Sequence, residues 1–374
     1  MTDAQYTRLA PQFASYLRGF HPYLGYEPTR QHFLNYTRGL LSDETRKTVE
    51  PIALRTGTTV RTLQVFLKDS VWDDAGVRTY HRQQLAEAFR REPDPAKLGT
   101  IGLLDETSSL KKGRLTPGVQ RQYLGCVGKV DNGIVTVHLG ACRGELKALL
   151  DVDLFLPKAW SEDRERCEQA GIPAEKRHDP KWKLALSQWS RAKADGFAFD
   201  WLTFDAGYGC VPAFMRVLDI FEQRYVAEVP VSYRVSYREG GRRMEARELL
   251  KSTARKGWKK FVIRHETGGV SVWKYRDAKV FGAKHSQRLI VAVNVLTHEV
   301  KYFVSNACHR SVKTLLRVAF RRAPIEHLFR IAKQEVGLMH FEGRSYRGLL
   351  RHLTLALVVL GFVSVVAAKL KKKR

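Results

Sequence analysis

Two short, strongly apolar segments of the chain each run into an aspartate. Thr100 to Leu104 is followed by Asp105, and Trp201 to Phe204 is followed by Asp205. Apolar runs this short have the length of buried strands rather than of buried helices. A carboxylate at a strand end is held in a fixed direction while its backbone stays paired, which suits a metal ligand. If the two strands are neighbours in one sheet, the two acids converge. The alternative is that each aspartate only caps a turn.

The segments around these runs follow one another in the order of a mixed α/β sheet. Gln122 to Val130 and Ile134 to Gly140 alternate as strands do, and Asp131-Asn132-Gly133 between them indicates a hairpin turn. A charged stretch with helical spacing follows at residues 162–195. The apolar run Trp201 to Phe204 comes next, and then a helix at 212–223 and a strand at 225–231. The order β-β-β-α-β-α-β predicts an α/β fold built on a mixed sheet.

Residues 1–95 have helical spacing and predict a small helical N-terminal domain. Inside it, two helices are expected on either side of Gly57, the second with Leu63 inward and Arg61 and Lys68 outward. This pattern is typical of a helix-turn-helix with a basic outer face, and an ordinary pair of antiparallel helices has the same pattern. The segment 91–99, with two prolines, is the predicted domain boundary.

Residues 232–305 break the α/β order and predict a β-rich insertion, with strands at 259–265, 269–275, 289–296 and 301–304. The α/β domain is then expected to comprise residues 96–231 and 306–345, followed by an apolar helix and basic tail at 346–374. The apolar run in that last segment, Leu353 to Ala368, has 16 residues, which is short for a membrane span. We expect a buried core helix there; a membrane-associated segment is the alternative.

The charge of the chain indicates a polyanionic partner. There are 64 Lys and Arg against 38 Asp and Glu, a net charge of +26, while 44% hydrophobic residues are enough to build a core. Nucleic acid is the commonest partner for such a field; a membrane surface or a ribosomal assembly are the alternatives. None of the five cysteines forms a Cys-x-x-Cys pair, which argues against a disulfide framework or a zinc ribbon. Without a visible signal peptide, a cytoplasmic protein is expected.

A third acid stands in a strongly basic part of the chain. Between Arg310 and Arg351 there are ten Lys and Arg but only three Glu, among them Glu326. On a helix, Lys333 follows Glu326 by two turns on the same face. Glu326 could be only an ion-pair partner, or a third metal ligand beside cations that bind phosphate. Glu106 would point to the opposite face of its strand from Asp105, and Glu335 would lie half a turn off the face of Glu326.

These motifs resemble a known family. The segments LLDETSSLKKG, DAGYG, IEHLFRIAKQEVGL and SYRGLLRHLTLAL are similar, in that order, to the DDE transposases of bacterial insertion sequences, in the IS701-like branch of the IS4-related superfamily. The resemblance extends over roughly residues 35 to 365. It implies an RNase H-like core, a β-rich insertion before the last acidic helix, and a metal-binding triad that by motif position is Asp105, Asp205 and Glu326.

The third-acid signature of that superfamily is Tyr-x-x-Arg-x-x-x-Glu-x-x-x-x-x-x-Lys. Arg322, Glu326 and Lys333 fit its spacing, but Ala319 stands at the tyrosine position. Pro324 also lies between the arginine and the glutamate and fits best near a helix start, so Arg322 is expected to belong to a preceding element.

The resemblance implies metal-dependent DNA cleavage at transposon ends and strand transfer into target DNA. Two Mg²⁺ ions, with Mn²⁺ as a possible substitute, would be shared by the three acids. The implied partners are double-stranded DNA and a second copy of the chain, with no membrane and a nucleoid association. A catalytically inactive DNA-binding relative and another RNase H-like nuclease, acting on RNA or hybrids, are the alternatives.

Basic and aromatic residues near these motifs are the candidate DNA contacts. Lys111 and Lys112 follow the first acid, and Arg330 joins Arg322 and Lys333 around the third. The remaining candidates are Arg61 and Lys68 of the predicted helix-turn-helix, and Trp258, Lys259 and Lys260 of the insertion. For Trp258, packing inside the insertion is the alternative.

Overall fold

The computed structural model describes residues 3–252, 257–264, 269–282 and 286–372. The helices are α1 (Asp3–Arg18), α2 (Glu27–Leu41), α3 (Val49–Arg55), α4 (Val60–Lys68), α5 (Asp74–Arg91), α6 (Lys158–Glu162), α7 (Arg164–Gln169), α8 (Lys181–Ala194), α9 (Ala206–Gly209), α10 (Pro212–Ile220), α11 (Ala246–Ser252), α12 (Val312–Phe320), α13 (Pro324–Gln334) and α14 (Tyr346–Lys371), with a 3₁₀ turn at His21–Tyr23. The strands are β1 (Ile101–Leu110), β2 (Gln120–Leu124), β3 (Lys129–Arg143), β4 (Leu146–Leu154), β5 (Trp201–Phe204), β6 (Tyr225–Val229), β7 (Arg234–Val235), β8 (Met244–Glu245), β9 (Lys259–Arg264), β10 (Val270–Phe281), β11 (Ser286–Asn294) and β12 (Val300–Ser305).

The chain folds as two compact units. The first comprises Met1–Pro93, Glu106–Ala198 and Ile325–Arg374, and the second Asp94–Asp105 and Phe199–Pro324. The first crossing falls between Pro93 and Asp94, inside the proline-containing segment that the sequence marks as a boundary. The finer division into a DNA-binding domain, a catalytic core and an insertion concerns function and stays a prediction.

In the first unit, β3 lies between the second half of β1 and the antiparallel β4, and its first half pairs with β2. The predicted hairpin turn is wrong: Asp131, Asn132 and Gly133 lie inside β3, and the turn is formed by residues 125–128, with Gly128 at φ +67°. Gly133 meets a packing need instead, because a Cβ there would clash with the Ser109 carbonyl oxygen of β1. An Asn-Gly pair therefore signalled a close approach of two strands, not a reversal of the chain.

Helices α3 and α4 are the two helices predicted on either side of Gly57. Gly57 between them has φ +65°, and the Thr59 hydroxyl caps α4 by accepting a hydrogen bond from the Thr62 amide at 3.1 Å. Leu63 is buried, whereas Arg61 and Lys68 are exposed, as the pattern predicts.

Helix α14 packs in the first unit against α2, α4, α5 and β4. By length and mean hydropathy, 2.4 over its most apolar window, it could cross a bilayer, but 67% of that window is buried in the fold. Leu353, Leu355 and Val358 are fully inaccessible to solvent. The helix therefore has the burial that the core-helix prediction requires.

One charged side chain in α14 joins it to the helix–turn–helix. Arg351 is 3% exposed, and its guanidinium lies 4.2 Å from the centre of the Trp72 ring. It donates to the carbonyl oxygens at the end of α4 and in the loop after it, those of Phe66, Leu67, Ser70 and Trp72. The last carbonyls of a helix have no partner within the helix, so Arg351 satisfies groups that would otherwise be buried without hydrogen bonds.

In the second unit, the first half of β1 pairs in parallel with β5, and β5 in parallel with β6. Antiparallel β12, β11, β10 and β9 then continue outward from β6. The strands predicted as an insertion therefore extend the same sheet. The predicted strand 259–265 ends at Arg264, and His265 lies outside the described residues. Phe320 of α12 packs on this sheet against the rings of Phe261, Trp273 and Phe303.

We predict that Arg351→Met lowers the melting temperature by roughly 1–4 °C, because several buried carbonyls lose the guanidinium that donates to them, at about 1–3 kcal/mol in total. The change is measured by differential scanning calorimetry. Arg347→Met is the matched control, since Arg347 is exposed one turn earlier on the same helix. Equal effects of the two substitutions would contradict the role assigned to Arg351.

Candidate active site at three parallel strands

The register of the parallel strands places three acidic residues in one row. Leu104 is opposite Phe204, and Phe204 is opposite Ala227. The next residues along β1, β5 and β6 are Asp105, Asp205 and Glu228. Adjacent strands lie about 4.8 Å apart, and residues in register in a parallel sheet face the same side. The two predicted aspartates are therefore neighbours, as the sequence required if both strands lay in one sheet.

Strand β1 does not end at Asp105, which corrects the sequence-based expectation. The strand continues to Leu110, and Asp105 is the last residue before β1 passes into the first unit. There β3 lies beside it, and the Thr136 hydroxyl approaches the Thr107 carbonyl oxygen at 3.4 Å. Asp105 is 8% exposed, so it stands at the place where the strand changes partner rather than at a free tip.

Asp205 does cap a turn, which is the alternative left open above. Its Oδ1 accepts hydrogen bonds from the amides of Gly207 at 3.0 Å and Tyr208 at 3.3 Å, at the start of α9. The cap uses one carboxylate oxygen and leaves Oδ2 to other partners. Gly209 in the same turn is required, because a Cβ there would clash with the carbonyl oxygen of Glu228.

Arg322 joins two acids of the row. Its Nη1 lies 2.8 Å from Asp105 Oδ2, and its Nη2 lies 3.6 Å from Glu228 Oε2. The arginine sits in the turn between α12 and α13, and α13 begins at Pro324. Arg322 is therefore outside the helix of Glu326, as the proline predicted. Ala319, at the position of the signature tyrosine, is buried on α12.

Glu228 was missed by the sequence reasoning. Besides Arg322, it pairs with Lys301 of β12, whose Nζ lies 3.2 Å from Oε1. The available signal was a single charged residue within the apolar run Tyr225–Val229. Only the strand register shows that this residue stands in line with the two aspartates.

In the first unit, Glu326 is exposed on α13. The opposite face of that helix is buried, with Phe329 stacked edge-on against His138 of β3 at 5.1 Å. Burial lowers the pKa of His138 to about 3, so this ring is neutral at physiological pH.

Lys333 donates to the Ser108 carbonyl oxygen of β1 at 3.0 Å, and burial lowers the pKa of its ammonium. Glu106 pairs with Lys181 at 2.7 Å.

The candidate DNA contacts fall into two groups. Lys111 is held inside the protein, where it donates to the carbonyl oxygens of Phe341 at 2.7 Å and Met339 at 3.2 Å and where burial lowers its pKa. Lys333 and Arg322 are likewise engaged by protein groups. The exposed members are Arg61, Lys68, Lys112, Arg330, Lys259 and Lys260.

Trp258 is 43% exposed, and the guanidinium of Arg276 lies 4.6 Å from its ring centre. The exposure argues against packing inside the insertion. On α4, Arg61, Gln64 and Lys68 line a cleft of about 710 Å³ that is also bordered by Glu342 and Arg344. The face of α4 that carries Arg61 and Lys68 therefore lines an open cleft.

Within the described residues, no three His, Cys, Asp or Glu side chains stand together closely enough to hold a metal ion by themselves. Mg²⁺ needs fewer, because it keeps several waters and binds one or two carboxylates together with substrate phosphate. The pair Asp105 and Asp205 supplies such oxygen donors. The guanidinium on Asp105 further shows that a positive group is stabilised at this carboxylate.

Comparison with known proteins gives two matches. A model of the DDE superfamily of endonucleases matches residues 19–267, a range that includes both aspartates and Glu228 but not Glu326. A probable transposase for insertion sequence element IS701 from Microchaete diplosiphon is 32% identical over 194 residues, which is 51% of this chain and 46% of the relative. The chain thus matches about half the length of that transposase.

Both matches agree with the resemblance drawn from the motifs. The mixed α/β fold, in which β1, β5 and β6 of the second unit are parallel neighbours, is consistent with an RNase H-like nuclease core. The family model extends over more than half of the sequence. The chain belongs to the DDE superfamily of endonucleases.

Proposed function

We propose that this protein is a cut-and-paste transposase, which cleaves DNA at transposon ends and transfers the freed strands into target DNA. The observation that carries the proposal is the register that sets Asp105 beside Asp205 in a DDE endonuclease. The similarity to a probable IS701 transposase supports strand transfer rather than cleavage alone.

Members of this family depend on divalent metal ions, and we propose that Mg²⁺ serves here, with Mn²⁺ able to replace it. Asp105 and Asp205 would hold the metal from adjacent strands, and Glu326 would be the third ligand by its position in the motif. Two bound ions would activate the attacking oxygen and stabilise the leaving one. The protein's own part is to fix these carboxylates at β1, at the end of β5 and in the first turn of α13.

We propose that the exposed basic residues contact the DNA backbone. Arg61 and Lys68 on α4, and Lys259 and Lys260 beside Trp258, would bind duplex phosphates, and Lys112 and Arg330 would act near the acids. Lys111 and Lys333 are engaged with carbonyl groups, so we assign them to positioning the first unit's elements. Two transposon ends must be brought together, so we propose a homodimer on DNA, in the cytoplasm and associated with the nucleoid, without a membrane partner.

We predict that Asp105→Asn, Asp205→Asn and Glu326→Gln each reduce Mg²⁺-dependent cleavage of terminal-repeat DNA by at least about a thousandfold, because each removes a charged ligand. DNA affinity, measured in Ca²⁺, changes little. Glu335→Gln is the matched control for Glu326, since Glu335 is exposed just after the same helix. A variant that cleaves normally removes that residue from the triad, and a wild type that binds DNA without nicking it contradicts the enzyme assignment.

We predict that Arg61→Ala and Lys68→Ala each weaken duplex binding and reduce the salt dependence of log Kd by about one unit, because each removes one phosphate contact. The measurement is a fluorescence-anisotropy titration at several salt concentrations. Lys158→Ala, an exposed lysine on α6, is the control. An unchanged salt slope in both variants would mean that α3 and α4 are an ordinary helix pair.

A further inference from the structure

Arg322 contacts two carboxylates of the row formed by Asp105, Asp205 and Glu228. Arg322 and Glu228 have side chains that are 17% and 22% exposed, so their 3.6 Å pair is partly protected from water. The shorter contact of Arg322, at 2.8 Å, is to Asp105. Different nitrogens of the guanidinium make the two contacts, so one contact can be lost while the other is kept.

Glu228 is held in place independently of Arg322. Its backbone is part of β6, where it lies opposite Phe303 of β12. Lys301 donates to both of its carboxylate oxygens, at 3.2 and 3.4 Å. The carboxylate is therefore already oriented toward this cluster whether or not the arginine is bound to it.

A divalent cation on Asp105 would compete with this arginine. The guanidinium stands within hydrogen-bond distance of Oδ2, where a second cation on the same oxygen would meet a like charge. Arg322 must therefore leave Asp105 before that oxygen can bind metal. Glu228 is the carboxylate that its other nitrogen already contacts.

We propose that Glu228 is a positioning residue that retains Arg322 at the site when Asp105 takes up a divalent cation. Arg322 gives up its contact with Asp105 and keeps its contact with Glu228. Its positive charge then stays beside the place where a reacting phosphate would bind. This inference rests on the proposed metal-binding role of Asp105. It differs from that role because Glu228 acts through the arginine and not as a metal ligand.

The test is a double-mutant cycle on Mn²⁺ affinity, measured with the full-length, DNA-free protein by the electron paramagnetic resonance signal of free Mn²⁺. Glu228→Gln is expected to weaken Mn²⁺ binding roughly fivefold, since displaced Arg322 then loses the charged carboxylate that its Nη2 contacts. Arg322→Gln is expected to strengthen binding, since it removes the competitor. In the Arg322→Gln background, Glu228→Gln is expected to have no more effect than the control described next.

The matched control is Glu299→Gln. Glu299 also pairs with Lys301, at 3.3 Å, and its substitution removes the same charge. No described ion pair joins it to Arg322, so it is expected to change Mn²⁺ affinity less than twofold. If Glu228→Gln does not yield folded protein, Glu228→Asp, which keeps the charge but shortens its reach, replaces it in the same cycle with the same expected sign.

Equal weakening by Glu228→Gln in the presence and absence of Arg322 would overturn the inference, because Glu228 would then act through its charge alone. Loss of all binding in both backgrounds would make it a metal ligand and would overturn the inference as well. Asp105→Asn separates this result from the proposed function. If that variant binds Mn²⁺ like the wild type, or if neither wild type nor Arg322→Gln binds it, the metal assignment itself fails.

Discussion

The parallel pairing of β1, β5 and β6 is the constraint on which the candidate site depends. Leu103, Leu104, Leu202 and Phe204 are fully buried on the two faces of the sheet, and a slip of one residue between β1 and β5 would carry Asp105 out of line with Asp205. The same apolar register sets the acids that follow it side by side. The strand register that packs the core is therefore also the register that places the acids side by side. For this reason, short apolar runs that end in aspartate predict a candidate active site.

The large positive charge of the chain is divided between surface and interior. Arg351 and Lys111 satisfy backbone carbonyls, and Arg322 neutralises an acid in the candidate site. A buried charge is tolerated only when it is paired or fully hydrogen-bonded, so Arg351 and Lys111 are structural requirements of the fold. The net charge predicts a polyanionic partner, but it overstates the number of cations that can reach DNA. The exposed cations are the ones that remain accessible to a polyanion.

The departures from the third-acid signature have local structural reasons. Ala319 lies on the buried face of α12, where a phenol would need a hydrogen-bond partner inside the core. Pro324 begins α13 and sends Arg322 into the preceding turn, from which the guanidinium reaches Asp105. The spacing of the motif is thus kept although its residues belong to two elements. The family model matches a range that includes both aspartates and ends before Glu326.

Local pattern was enough to predict the strands before Asp105 and Asp205, the pair α3 and α4, the helix start at Pro324 and the buried helix α14, because apolar periodicity and capping act between near neighbours. It failed where a distant segment decided the outcome. The predicted hairpin turn is wrong because Gly133 serves the close approach of β1. Local pattern also could not show that strands β9 to β12 extend the sheet from β6, or that Lys111 binds carbonyl groups more than two hundred residues away. The place of Glu228 in the acidic row also depends on strand register, which arises only when separate strands pair.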